Sequence, residues 1–154
     1  MNIEEKVKEC GYELPAAAKA VASYVPYVIS GSHVYIAGQI PFINGQAMNQ
    51  GILGKDFDIA QGQEAAKACA LNILAQVNQA VEGDWSRVKR CVKLGAFVAA
   101  TPEFTDHPVV VNAASELLVE VMGEAGRHAR SAVGVPSLPL NCAVEIDAIF
   151  EIDV

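Results

Sequence analysis

Apolar residues recur along this chain with two different periods, and the alternation between those periods sets the expected architecture. Ala66, Ala70, Ile73, Leu74, Val77 and Val81 follow the spacing of one helix face. Asp58-Ile59-Ala60-Gln61, just before them, has the form of a capping box, and Gly83-Asp84 ends the run. A second helical stripe, Val110, Ala114, Leu117, Leu118 and Val121, opens behind Pro108, which a first turn tolerates, and stops at Gly123. Between the two, Val88, Val92, Leu94, Ala96 and Val98 recur at mostly even spacing, the mark of a half-buried strand, until Thr101-Pro102-Glu103 breaks it. The end of the chain alternates most cleanly. Cys142, Val144, Ile146, Ala148, Phe150 and Ile152 face one way, and Ala143, Glu145, Asp147, Ile149, Glu151 and Asp153 the other.

The remaining segments read less sharply. Residues 1–14 suggest a short amphipathic helix or arm ending near Gly11. Val25–Ser30 and His33–Ala37 read as strands joined by a tight Gly31-Ser32 turn. Residues 42–57 read as a loop, and Ala132–Val135 as an apolar strand. The order is then β-β-α-β-α-β-β in one domain, residues 1–154, with 1–22 as an N-terminal extension. This is an α+β layer arrangement, a sheet with two helices packed on one face. Its other face needs cover, and oligomerisation is the simplest cover.

Composition sharpens that picture. At 52% hydrophobic residues and a mean hydropathy of +0.26, the chain is more apolar than a free monomer needs. Its 11 basic and 18 acidic residues give a net charge of -7, which repels phosphate backbones and disfavours nucleic acid as a partner. No apolar stretch reaches the roughly 20 residues of a membrane span. The charged start MNIEEKVKEC lacks an apolar signal core, so the cytoplasm is the expected compartment. Cys10, Cys69, Cys91 and Cys142 form no CxxC pair and read as small apolar residues rather than metal ligands. No phosphate loop, nucleophile elbow or metal cluster is present in the sequence.

Arg130 is the first candidate for chemistry. An arginine beside a buried strand is costly unless paired. It is either a guanidinium fork for a ligand carboxylate or half of a structural ion pair with Glu145 or another acid. Pro136-Ser137-Leu138-Pro139 can turn the chain back, which would set Glu145 beside Arg130 across a hairpin. Glu145 alone reads as a solvated strand carboxylate or as an acid–base group that positions water. Asn112, Tyr24, Tyr27 and His128 each have an ordinary surface or packing reading beside any functional one.

The string His128-Ala129-Arg130-Ser131-Ala132-Val133-Gly134-Val135, followed by Leu138-Pro139 and Val144-Glu145-Ile146, resembles the closing signature of the YjgF/Rid family of enamine/imine deaminases, formerly L-PSP endoribonucleases. Gly38-Gln39-Ile40-Pro41 and Val111-Asn112-Ala113 add to the resemblance, which spans about residues 22–154. It implies a chorismate-mutase-like fold with a mixed sheet and a homotrimer with sites in the clefts between subunits. It places the carboxylate-binding arginine on Arg130 and the water-positioning glutamate on Glu145. The cleft asparagine falls on Asn112, the tyrosine on Tyr24 rather than Tyr27, and a pocket-lining backbone on Gly38.

The activity implied is cofactor-free hydrolytic deamination of 2-enamine or 2-imine acids such as 2-aminoacrylate, with no metal. Ala37 and Ala132 stand where a serine and a cysteine are common in deaminating members. That keeps a non-catalytic module binding a small keto or amino acid as the alternative. A chorismate-mutase-type isomerase and an endoribonuclease stand behind both.

Overall fold

The computed structural model describes residues 2–154. In chain order its elements are α1 (Ile3–Glu9), β1 (Tyr27–Ser30), β2 (His33–Gln39), β3 (Phe42–Ile43), β4 (Gln46–Ala47), α2 (Ile59–Ala80), β5 (Val88–Ala99), α3 (His107–Met122), β6 (Ala129–Val135) and β7 (Val144–Ile152). The main sheet runs β1-β2-β7-β5-β6, antiparallel throughout except for the parallel pair β5–β6, which α3 connects. The long helices α2 and α3 pack against each other and cover one face. This is the mixed α+β architecture that the two periodicities predict.

Local chemistry explains the main elements. The Asp58 carboxylate accepts from the Gln61 amide at 2.8 Å, and the Gln61 side chain accepts from the Asp58 amide at 3.0 Å, completing the capping box that starts α2. Ala65, Ala66, Ala68 and Ala70 keep α2 slim, so the sheet and α3 approach closely around the fully buried Ile73, Leu74 and Val77. Val144, Ile146, Ala148, Phe150 and Ile152 of β7 meet them from below, all at 2% exposure or less. Each large side chain buried this way contributes about 1.5–3 kcal/mol. Cys69, Cys91 and Cys142 are buried free thiols, and burial pushes Cys91 up to about 12 and Cys142 to about 11. At those values neither thiol ionises near neutral pH.

Two expectations change. The 42–57 loop contains the small β3–β4 hairpin, whose Asn44-Gly45 turn takes φ of 52° and 79°. Asn-Gly is the dipeptide that such a turn demands. More important, Arg130 and Glu145 do not share a hairpin. β6 pairs only with β5, and β7 lies between β2 and β5, so β5 separates the two residues.

No element among the described residues forms a layer on the second face of the sheet. Val28, Tyr35 and Val133 stand on it at 52%, 47% and 45% exposure, beside half-buried Phe97, Glu145, Asp147 and Ile149. No helix among the described residues is long and apolar enough to cross a membrane.

Candidate functional site

Arg130 begins the first half of the site. It is the second residue of β6 and pairs in register with Leu94, which places its side chain on the helix-covered side. There Nη1 donates to Ser115 Oγ at 3.1 Å and Nη2 to the Pro108 carbonyl at 3.4 Å. No carboxylate lies within 4 Å of it among the described residues, so the structural ion pair is not formed. The guanidinium instead lies along α3, from Pro108 in its first turn to Ser115 at mid-helix, with part of its fork uncommitted. Asn112 is exposed on the same helical stripe, four residues after Pro108 and three before Ser115.

A relay stands behind the arginine. The imidazole of half-buried His128 lies 2.6 Å through Nδ1 from the Gly126 carbonyl and 2.9 Å through Nε2 from Ser115 Oγ. A carbonyl only accepts, so Nδ1 carries the proton. Nε2 is then an acceptor for the Ser115 hydroxyl, which itself accepts from Arg130. Burial above all, and the Arg130 charge besides, hold the His128 pKa below the ordinary 6.5. Neutral His128 thereby fixes the direction of the whole chain of bonds. The sequence alone gives His128 an ordinary surface reading and does not single out Ser115; a His-x-Arg spacing at the entry to a strand, with a serine on the preceding helix, is the signal available.

Glu145 heads the second half, on the uncovered face of β7. It is half-buried, forms no hydrogen bond among the described residues, and has Asp147 as its nearest acidic influence. Burial first, and then the Asp147 charge, raise its pKa above the ordinary 4.5. The β2–β7 register shifts between Ile36 and Gln39, a bulge that turns Gly38 toward Glu145. A methyl group on Gly38 would collide with the Glu145 carboxylate where it stands, so the glycine lets that carboxylate keep its place. Ala37, beside it, offers no side-chain polar atom.

Gly38 also borders a cavity of about 270 Å³, roofed by residues 18–21 and flanked by Tyr24, Pro26, Ile40, Phe42 and Leu140. Tyr27 does not line it; it packs against the core instead. Two buried amides on α2, one turn apart, hold the loops in place. Asn72 donates to the Ile40 and Phe42 carbonyls, both at 2.9 Å, and Gln76 donates to the Ala18 carbonyl at 2.7 Å. Both amides interrupt an apolar helix, which was the visible sign of their role.

Within one chain, then, Gly38 adjoins Glu145 and shares a cavity with Tyr24, while Asn112 lies on the α3 stripe whose Pro108 and Ser115 hold Arg130. The two groups are separated by β5 and lie on opposite faces of the sheet.

Comparison with known proteins follows the same line. The family model described as "YjgF/chorismate mutase-like, putative endoribonuclease" matches residues 4–151. Protein TCP17 of Trypanosoma cruzi is 45% identical over 153 residues, 99% of this chain and 95% of that protein. The crystal structure of Atu1372 from Agrobacterium tumefaciens, of unknown function, superposes with a TM-score of 0.93 at 52% identity, covering 98% of this chain and 92% of that one. A 2-iminobutanoate/2-iminopropanoate deaminase of Dermatophagoides farinae is 27% identical over 139 residues, 90% of this chain and 93% of that protein. The chain belongs to the YjgF/Rid family and has its chorismate-mutase-like fold.

Proposed function

We propose that this protein is a cofactor-free deaminase of 2-imine and 2-enamine acids, working at clefts between the copies of a homotrimer. One observation carries the reading: among the described residues the Arg130 guanidinium has no carboxylate partner, and it is held from behind by Ser115 and the Pro108 carbonyl. Such a fork is available to a ligand carboxylate. The apolar side chains on the uncovered sheet face support an oligomer, and the separation of Arg130 from Glu145 supports a cleft that takes one group from each copy. The deaminase relative from Dermatophagoides farinae supports the chemistry.

In this reading the substrate carboxylate docks on Arg130, and Asn112 lies beside it. An enamine such as 2-aminoacrylate first takes a proton on its terminal carbon to become the imine. Glu145 of the adjoining copy orients a water and removes its proton as the oxygen bonds to the imine carbon and the C=N bond opens onto nitrogen. The proton passes to that nitrogen to give a carbinolamine; its hydroxyl proton then moves, again through Glu145, to the nitrogen as the C=O bond forms and the C–N bond breaks, and ammonia and a 2-keto acid leave. Glu145 suits both transfers because its raised pKa brings it closer to neutrality than an exposed glutamate. Much of the rate comes from positioning, since the imine is itself reactive toward water.

The test is to generate 2-aminoacrylate in place with a serine dehydratase and follow its loss. Micromolar protein should accelerate the loss; no acceleration overturns deamination of that substrate. A second reading, a non-catalytic binding module, is favoured by Ala37 and Ala132, which add no polar side chain to either half. It predicts binding of 2-ketobutyrate with no effect on 2-aminoacrylate decay.

A further inference from the structure

The cavity beside Gly38 has a composition that selects its occupant. Its lining is dominated by carbon from Tyr24, Pro26, Ile40, Phe42 and Leu140, with Lys19 exposed at the rim. The two buried amides that border it direct their N–H groups to backbone carbonyls. Asn72 gives its amide hydrogens to the Ile40 and Phe42 carbonyls, and Gln39 donates to the Ala37 carbonyl at 2.9 Å. A second carboxylate carried inside would lose water and find few donors to replace it. Size points the same way. An apolar cavity of about 150 Å³ accepts benzene, and this one is about 270 Å³. A methyl group would leave most of it unfilled.

Gly38 is shared between the cavity and the Glu145 carboxylate. A ligand whose reacting carbon sits over Glu145 is therefore one residue, Gly38, away from the cavity wall. We infer that this chamber receives the side chain of the substrate, and that the preferred substrates are imines of amino acids with branched aliphatic or aromatic side chains rather than of alanine or acidic amino acids. The inference rests on the proposed site at Glu145 and Arg130, and it gives that site a substrate class. The residues 18–21 roof, tied to α2 through Gln76, makes the segment before β1 part of substrate selection.

The stable 2-keto acids test this without requiring turnover. Wild-type protein is titrated calorimetrically with pyruvate, 4-methyl-2-oxopentanoate, phenylpyruvate and 2-oxoglutarate. Each buried methylene is worth about fourfold in affinity. The branched and aromatic acids should therefore bind at least about tenfold tighter than pyruvate, with a negative heat-capacity change. 2-Oxoglutarate should gain nothing over pyruvate. Ala20→Phe, which fills the chamber from an irregular segment, should bring the dissociation constants of pyruvate and 4-methyl-2-oxopentanoate together.

Equal affinities across the series, a preference for pyruvate or 2-oxoglutarate, or no binding of any acid overturns the chamber. Should Ala20→Phe fail to fold, the wild-type series decides alone. Imines made in place from alanine and from leucine by an amino-acid oxidase separate the two readings. Turnover of both at similar rates with a flat series removes the chamber and leaves the deaminase; a steep series with turnover of neither imine does the reverse.

Discussion

Arg130 and Glu145 stand on opposite faces of the same sheet, with β5 between their strands. No side-chain rearrangement within one chain brings a carboxylate held by the first into reach of a water held by the second. If both act on one substrate, they come from different copies, and a ring of heterologous contacts supplies such pairs. Arg130→Ala and Glu145→Gln should each be inactive alone, yet regain activity when co-refolded. With random assembly at equal amounts, about a quarter of the clefts combine an intact arginine with an intact glutamate. Recovery near that fraction is the expected result. No recovery in mixed oligomers confirmed by mass would refute the shared cleft.

Arg130→Ala should also weaken 2-ketobutyrate binding by about 100-fold, the loss of charge-assisted hydrogen bonds of about 1.5–3 kcal/mol each. Arg130→Lys keeps the charge but not the planar fork, so it should recover only part of that affinity. Titration calorimetry reads both. Unchanged binding in Arg130→Ala would move the ligand site elsewhere.

Gly38→Ala probes the close approach of β2 to Glu145. The added methyl has no room beside the carboxylate, and the flexible end of the glutamate is what yields. Displacement of a positioned base by about an ångström costs on the order of 100-fold in rate. The melting temperature should move little, because neither residue belongs to the buried core. A variant with wild-type kcat would show that Glu145 does not need its present position.

Much of this arrangement was legible in the sequence, and the part that was not has a physical reason. The strict alternation of β7 and the stripes of α2 and α3 report burial directly, so the layers and the facing of Glu145 follow from pattern. Strand order does not. Nothing in Pro136-Ser137-Leu138-Pro139 distinguishes a hairpin from a crossover, and β7 inserts between β2 and β5 because long-range pairing decides it. The same limit hid the Ser115–His128 contact, whose partners are 13 residues apart and meet only when β6 docks on α3. Asn44-Gly45 was a readable turn signal that the glycine-rich surroundings obscured.

The acidic neighbours Glu145 and Asp147 predict a pH effect. Glu145 is raised by burial first and by the Asp147 charge second. As a base it works ionised, so the rate should climb as pH passes its pKa, above 4.5. Asp147→Asn removes one raising influence, and the acid limb of the kcat profile should shift to lower pH. The stability sign is opposite to that of a salt-bridged acid. Between 4.5 and the raised value the folded chain holds a proton that the unfolded chain has lost, so stability falls as pH rises through that window. Glu145→Gln should flatten this part of the unfolding profile. An acid limb unmoved in Asp147→Asn would detach Asp147 from the titration.

His128 predicts a second effect, on the other half of the site. Its folded pKa lies below 6.5, so on acidification the unfolded chain takes up the proton first. The contribution of neutral His128 is complete above about 6.5 and is lost as pH falls from there to the folded value. Protonation also ends its role as acceptor for the Ser115 hydroxyl and sets a second positive charge near Arg130. Wild-type protein should therefore lose urea stability between pH 7.5 and 5.5 more steeply than His128→Gln, which keeps polar contacts but does not titrate. Ligand binding should follow, because the Ser115 oxygen that holds Nη1 of Arg130 loses its orientation. In wild type, 2-ketobutyrate affinity should drop across the same interval, while in Ser115→Ala it should start lower and vary less. Parallel pH slopes for wild type and His128→Gln, in both unfolding and binding, would reduce the relay to packing with no hold on the arginine.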